Sequence, residues 1–178
     1  MTRSHTNMKY IGLVGKKSSG KDTAYDALKA HFGKAVARLS FADELKRELC
    51  EQLRADVDLL NANKNLPPFR QLLQNYGVWR RSQHEDYWLL RAETVAFHPA
   101  VKLVVVTDCR FLNEAAWVRK NGGDLVRIVR PSLLALDTHS SEIEQDAIQV
   151  DYTICNDQTI VRLEKLMVDY VKNYAKLI

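Results

Sequence analysis

Five short runs rich in Val, Ile and Leu, at Lys9–Val14, 35–40, 101–107, Asp124–Val129 and 151–155, alternate with longer stretches of helical period. Such alternation is the pattern of βαβ units, and a chain built from them folds as a parallel sheet with helices on its faces. The run "VKLVVVTD" is almost continuously apolar, as a strand buried on both faces must be, which places it mid-sheet. Near the C-terminus, Ile160, Leu163, Met167, Val171 and Tyr174 recur at three- and four-residue steps, so this helix is expected to give its whole stripe to the core. The expected fold class is α/β, with a five-stranded parallel sheet between helical layers.

Residues 41–100 are far more than a minimal crossover between two parallel strands needs. They read as a helical insertion, with helices over 42–55, in "PFRQLLQNYGVW" and in "EDYWLLRAETVAF", and with "NANKNLPP" as a loop. Trp79 and Trp88 fit a helical core as readily as a ligand site, and are left out of the site. At 178 residues the chain is expected to be a single domain. Residues 1–7, "MTRSHTN", are polar, lack the apolar centre of a signal peptide and read as a loose tail.

Composition excludes several classes. Apolar residues make up 46% and charged ones 27%, ordinary for a globular protein and unlike a disordered one. No apolar run approaches the roughly 20 residues that span a bilayer, so no membrane segment is expected. Cys50, Cys109 and Cys155 are odd in number and scattered, with no C-x-x-C pair, which implies reduced thiols in a cytoplasm rather than disulfides or zinc. The net charge of +4 is spread along the chain, which fits a ligand carrying several phosphates and gives no block for stable nucleic-acid binding. A homodimer is left open.

"GKKSSGK", from Gly15 to Lys21, nearly completes the phosphate-loop pattern G-x-x-x-x-G-K-[ST], with Asp22 where a hydroxyl is usual. The pattern without its last position turns up by chance in about one chain in twenty of this length, so context decides. Here Gly15 directly follows an apolar strand, and Tyr25, Leu28 and Phe32 recur at helical spacing after Lys21. A phosphate chain lies against backbone N–H groups only where no Cβ intrudes, a need that glycine meets at Gly15 and Gly20. The helix start adds partial positive charge, and Lys21, expected to be solvated without ligand, adds a mobile full one. Gly15, Ser18, Ser19, Gly20, Lys21, Asp22 and Thr23 are therefore the candidate ATP-binding residues, with Lys21 and Asp22 also candidate catalytic residues. Asp22 is tolerable beside phosphates only if a cation offsets it, so magnesium is expected there, with the Thr23 hydroxyl on the α-phosphate.

From "SGKDT" through "RLSFADELKREL", "RQLLQNYGVWRR", "VVVTDCRFLNEAAWVRKNGGDLVRIVRP" and "HSSEIEQDAIQVDYTICNDQT", the chain resembles the bacteriophage deoxynucleoside monophosphate kinases. The similarity spans most of residues 8–165. Its most specific piece is Asp108-x-Arg110-Phe111-x-Asn113-Glu114 after an apolar strand. Aspartate after the loop lysine is common in that family, whereas Glu44 stands where proline is frequent and Gln158 where glycine is. The resemblance implies a three-layer P-loop NTPase fold and use of ATP and magnesium. It also implies transfer of one phosphoryl group to a deoxynucleoside monophosphate, with residues 41–100 on the acceptor side.

Transfer between two anions needs cations from both sides. Arg110 and Arg130 follow strands 101–107 and Asp124–Val129, at the strand ends where open α/β sheets bind ligands. Both are candidate catalytic clamps, with Arg130 opening an expected lid over 131–144, although Arg110 could instead pair with Glu114 or Asp108. Asp108 either holds the metal's water shell, caps the helix beginning near Phe111, or does both. Phe41 and Asp43 follow the second strand and are expected to face the loop's cleft, Phe41 to stack on a base and Asp43 to bind its edge or cap a helix. Lys46 and Arg70 are candidate acceptor-phosphate ligands. Asn156 and Asp157 could border adenine, or Asp157 could cap the last helix. His139, Ser141 and Glu142 are near neighbours without an oxyanion-forming context and are rejected as a triad. Rival readings are another small-molecule P-loop kinase, such as one acting on dephospho-coenzyme A, and a P-loop ATPase or switch. No N-K-x-D guanine-reading element is present.

Overall fold

The computed structural model describes residues 8–133 and 144–175. Among these, the strands are β1 (Lys9–Val14), β2 (Val36–Leu39), β3 (Leu103–Val106), β4 (Asp124–Val129) and β5 (Tyr152–Cys155). They form one parallel sheet in the order β2-β3-β1-β4-β5. Helices α1 (Lys21–Phe32), α2 (Phe41–Leu53), α3 (Val57–Asn63), α4 (Pro67–Gln83), α5 (Tyr87–Glu93), α6 (Leu112–Lys120) and α7 (Ile160–Asp169) complete the set, α7 continuing as a π-helical turn over Tyr170–Ala175. All four residues of β3 are fully buried, as its apolar run requires. The central position nevertheless belongs to β1, which pairs Ile11 with Val105 on one side and Asp124 on the other.

The chain divides into two compact units. Residues 1–39 and 97–178 form the sheet unit, whose core joins Ile11, Leu13, Leu28, Val105, Ile128 and Ile154 to Leu163, Met167 and Val171. Ile160, expected in the same stripe, is 65% exposed. It stands at the first position of α7, where the helix has not yet come down onto the sheet. The side chain of Tyr174 lies outside the described residues.

Residues 40–96 form the helical unit, where Leu49, Cys50 and Leu60 pack with Val57, Phe69, Leu73 and Tyr76. Asn61, Ala62 and Asn63, expected in a loop, instead finish α3, whose start is capped by the Asp56 carboxylate accepting from Asp58 N at 2.7 Å. Pro67 and Pro68 open α4 rather than end the loop, because a helix's first turn tolerates residues without an N–H to donate. Trp88 is buried, with Nε1 donating to Gly77 O at 3.4 Å, whereas Trp79 is half exposed and is not core.

Candidate functional site

β1 ends at Val14, and the chain turns through Gly15 (φ 148°), Ser18 (φ 64°) and Gly20 (φ 112°) before α1 begins at Lys21. Positive φ values clustered within six residues turn backbone amides toward a common concavity, the geometry of an anion nest. Gly20 has no side chain to cap α1, so the first amides of that helix are left to other acceptors. Ser19 is 1% exposed, and its Oγ has no hydrogen-bond partner. Leaving such a hydroxyl unpaired costs about 1–3 kcal/mol, and a phosphate oxygen is an acceptor of the right reach and charge to remove that cost.

Lys21 is not solvated. It is 9% exposed, and its Nζ donates to Gly15 O and, at 2.9 Å, to Lys16 O. A buried ammonium needs acceptors, and the loop's own carbonyls provide them, which parks the charge inside the loop. The loop is braced from the far end of the chain. Asn156, directly after β5, donates from Nδ2 to Ser19 O at 2.8 Å and from its backbone N to Val129 O at 2.7 Å. A Cβ on Gly20 would come within 2.7 Å of Asn156 Nδ2 and 2.8 Å of Leu163 Cδ2, so Gly20 is needed for this close approach as well as for its φ. Asn156 thus touches the loop itself. Asp157 is exposed and does not cap α7; Thr159 does, its hydroxyl accepting from Arg162 N at 3.2 Å.

Asp22 lies in the first turn of α1 with its side chain 81% exposed, 3.7 Å from an Arg38 guanidinium nitrogen. Thr23 beside it and Asp108 beyond β3 are both half-buried. No group of three or more His, Cys, Asp and Glu suited to a metal occurs among the described residues. Magnesium does not require one, since one or two carboxylates, phosphate oxygens and water complete its shell. Asp22 and Asp108 fit that kind of site, and not a protein cage of the zinc type.

The start of α6 is closed by a capping box in which Phe111, not Asp108, holds the cap position and Glu114 is the third helical residue. The Glu114 carboxylate is 2% exposed as a residue and accepts from the backbone N–H of Arg110 at 2.8 Å and of Phe111 at 3.1 Å. It therefore fixes the turn that carries Arg110. Arg130, one residue past β4, is exposed. Of the expected lid, 134–143 lie outside the described residues, including His139, Ser141 and Glu142. The segment just after them is anchored by Arg127, which donates to Gln145 O at 2.9 Å and Ile148 O at 2.8 Å, and by a 2.7 Å ion pair between Asp146 and Lys16 of the loop.

Within the helical unit, Ser40 caps α2, its Oγ accepting from Asp43 N at 3.2 Å. The cap is therefore not the Asp43 side chain, which pairs with Lys46 at 2.5 Å. Lys46 also donates to Asn61 Oδ1 at 2.9 Å, so two expected acceptor ligands are joined to each other. Phe41 is 3% exposed, so its ring is packed rather than presented as a stacking platform. Arg70 stands half-buried in the first turn of α4.

Residues 13–124 match the family model described as phosphomevalonate kinase, a span that includes the phosphate loop, the helical unit and β3. The chain belongs to the phosphomevalonate kinase family. A curated relative, "Putative deoxynucleotide monophosphate kinase" of Acanthamoeba polyphaga mimivirus, is 30% identical over 196 aligned residues, covering 96% of this chain and all of its own. The similarity is therefore not confined to bacteriophage sequences. The Mycobacterium tuberculosis APS kinase in complex with AMPPNP and APS superposes with a TM-score of 0.50 at 15% identity, covering 94% of this chain and 99% of that one. The Aquifex aeolicus shikimate kinase gives 0.46 at 14% identity, covering 94% and 98%. The all-parallel sheet flanked by helices is the P-loop kinase fold, as the superposition on the APS kinase shows, and the family match and the mimivirus relative make the protein a kinase of nucleotides or other small molecules. No helix among the described residues is long and apolar enough to cross a membrane.

Proposed function

We propose that this kinase transfers the γ-phosphoryl group of ATP to a phosphomonoester, and that the acceptor is a deoxynucleoside or ribonucleoside monophosphate. One observation carries the donor half: a buried, unpartnered Ser19 hydroxyl in a glycine-hinged loop whose lysine is already folded inward. Both relatives' names describe kinases of phosphomonoesters, and the mimivirus protein, aligned over nearly the whole chain, favours a nucleotide.

In this reading Gly15, Ser18, Ser19, Gly20 and Thr23 bind the phosphate chain through backbone amides and hydroxyls, and Lys21 moves from the loop carbonyls to the β- and γ-phosphates. Asp22 and Asp108 would hold magnesium, which supplies charge neutralisation at the phosphate oxygens when bound. Arg110, oriented by the Glu114-fixed turn, and Arg130 stabilise charge on the transferred group. Asn156 keeps the loop seated while its surroundings take the adenine. Acceptor recognition is assigned to the helical unit, with Arg70 on the phosphate and Phe41, Asp43 and Lys46 shaping the remainder.

ADP release measured over common deoxy- and ribonucleoside monophosphates, phosphomevalonate and dephospho-coenzyme A tests the proposal. Turnover of phosphomevalonate or dephospho-coenzyme A alone would transfer the assignment to another small-molecule kinase, and of these the family match favours phosphomevalonate. Hydrolysis without any acceptor would overturn both.

Two expected outcomes follow from the assignments. Arg70→Ala should weaken acceptor binding by about tenfold to 150-fold, the loss of one charge-assisted hydrogen bond of roughly 1.5–3 kcal/mol, with little change for ATP. Equal rises in both KM values would place Arg70 in the scaffold. Asp22→Asn should raise the magnesium needed for half-maximal rate and lower that rate, while metal-free ATP binds as well or more tightly because a repulsive charge is gone. Magnesium titrations that superimpose on the parent's would reduce Asp22 to a favourable charge at a helix start.

A further inference from the structure

The sequence alone assigns Arg38 no site role, and "VARLS" reads as part of a strand. In the structure it occupies β2, opposite Val105 of β3. Its Nε donates to Thr107 Oγ1 at 3.0 Å, and Thr107 is itself 3% exposed, with its backbone N–H donating to Leu39 O at 3.0 Å. The root of the guanidinium is therefore fixed to the carboxyl ends of two paired strands. From that root it reaches to 3.7 Å from Asp22 Oδ1, in the first turn of the helix behind the phosphate loop.

This pair is poorly suited to stabilising the fold. Its side chains are 42% and 81% exposed, and exposed ion pairs at such distances contribute little. Its location is what matters. A carboxylate where phosphate loops usually carry a neutral hydroxyl would repel a polyphosphate unless a fixed cation stands beside it. Arginine suits that task, because its charge is permanent and its planar group is oriented here by the Nε hydrogen bond to Thr107.

We propose that Arg38 is a positioning residue of the donor site, acting through Asp22. It offsets the Asp22 charge so that ATP can enter before the metal, and it competes with magnesium for the same carboxylate. This rests on the donor-site reading above.

The test is equilibrium ATP binding in EDTA, measured by calorimetry for the parent, Arg38→Ala, Asp22→Asn and the double variant, with thermal unfolding as the check on folding. The parent should bind metal-free ATP. Arg38→Ala should weaken that binding about five- to tenfold, the effect of a screened unit charge at this range, and in a parallel magnesium titration without EDTA it should lower the magnesium concentration at half-saturation. In the Asp22→Asn background the same substitution should change metal-free binding less than about twofold, since the two residues act as a unit. Thr107→Val, which removes only the acceptor for Nε, should shift binding in the direction of Arg38→Ala by a smaller amount. Equal losses in both backgrounds would show that Arg38 touches phosphate itself and would overturn its action through Asp22. No loss in either would reduce the contact to a surface pair. A parent that binds ATP only with magnesium would overturn the proposal alone, and one that binds no ATP with or without magnesium would overturn the donor-site reading, so the two failures are separable.

Discussion

Lys21→Ala should lower phosphoryl transfer by about 10²–10³-fold or more, the range found when a preorganised cationic or hydrogen-bonding group is removed from a transition state. Its effect on folding should be small but measurable. The ammonium is a hydrogen-bond donor to Gly15 O and Lys16 O. Its loss removes two contacts, each worth at least about 0.5–1.5 kcal/mol, which at roughly 2–4 °C per kcal/mol for a chain of this size lowers Tm by about 2 °C or more. A solvated lysine would leave Tm untouched, so the thermal shift reports the folded-back conformation independently of catalysis. Transfer within a few-fold of the parent would show that this loop is not where the donor's phosphates sit.

That double expectation marks where the sequence could be read and where it could not. β1, the loop and α1 were legible because each depends on local features: an apolar run, two glycines, and a helical period beginning at Lys21. The helical start at Pro67 was hidden because a proline pair after a polar stretch marks a loop and a helix's first turn equally well. α3 was hidden because "NANKN" carries no apolar period and its cap, Asp56, lies upstream of the polar stretch. Ile160 fitted the stripe arithmetically, but arithmetic does not say where along the helix contact with the sheet begins.

The site divides in the same way. Candidate residue types at strand ends were legible. Their partners were not, because partners come from tertiary contact. Asn156 meets Ser19 O across 137 positions of sequence, and Lys16 meets Asp146 across 130. Arg38 is the clearest case. An arginine inside a short apolar run is itself a signal, since a charged side chain beside buried β-branched neighbours needs a reason. Only the register of β2 on β3 shows that the reason lies at Thr107 and Asp22.

Of the two buried carboxylates of the helical unit, Glu44 and Glu48, the second sits at the centre of a cluster of phenols and arginines, and its removal should be felt strongly. Glu48 accepts from Tyr76 Oη at 2.6 Å and Tyr87 Oη at 2.7 Å, and pairs with Arg80 at 2.6 Å and Arg91 at 3.5 Å. The Arg80 guanidinium also lies over the Trp79 and Tyr87 rings, 4.7 and 4.8 Å from their centroids. Burial pushes the Glu48 carboxyl up, but hydrogen bonds from Tyr76, Tyr87 and Arg80 and the Arg80 charge outweigh it, so the group titrates below its ordinary value. Glu48→Ala strands a largely buried cation and two phenols, a loss of about 3–5 kcal/mol. It should appear as early unfolding of the helical unit in the fluorescence of Trp79 and Trp88. Glu48→Gln keeps the shape and loses the charge, and its pH dependence carries the decisive sign. A carboxyl depressed in the folded state contributes stability that is fully present above its unfolded value and is lost as pH falls through the folded one. The gap in stability between parent and Glu48→Gln should therefore be constant from neutral pH down to about pH 5 and narrow below it. A gap that stays the same into strong acid would mean that Glu48 acts by shape alone, and that Arg80 is held by its aromatic neighbours.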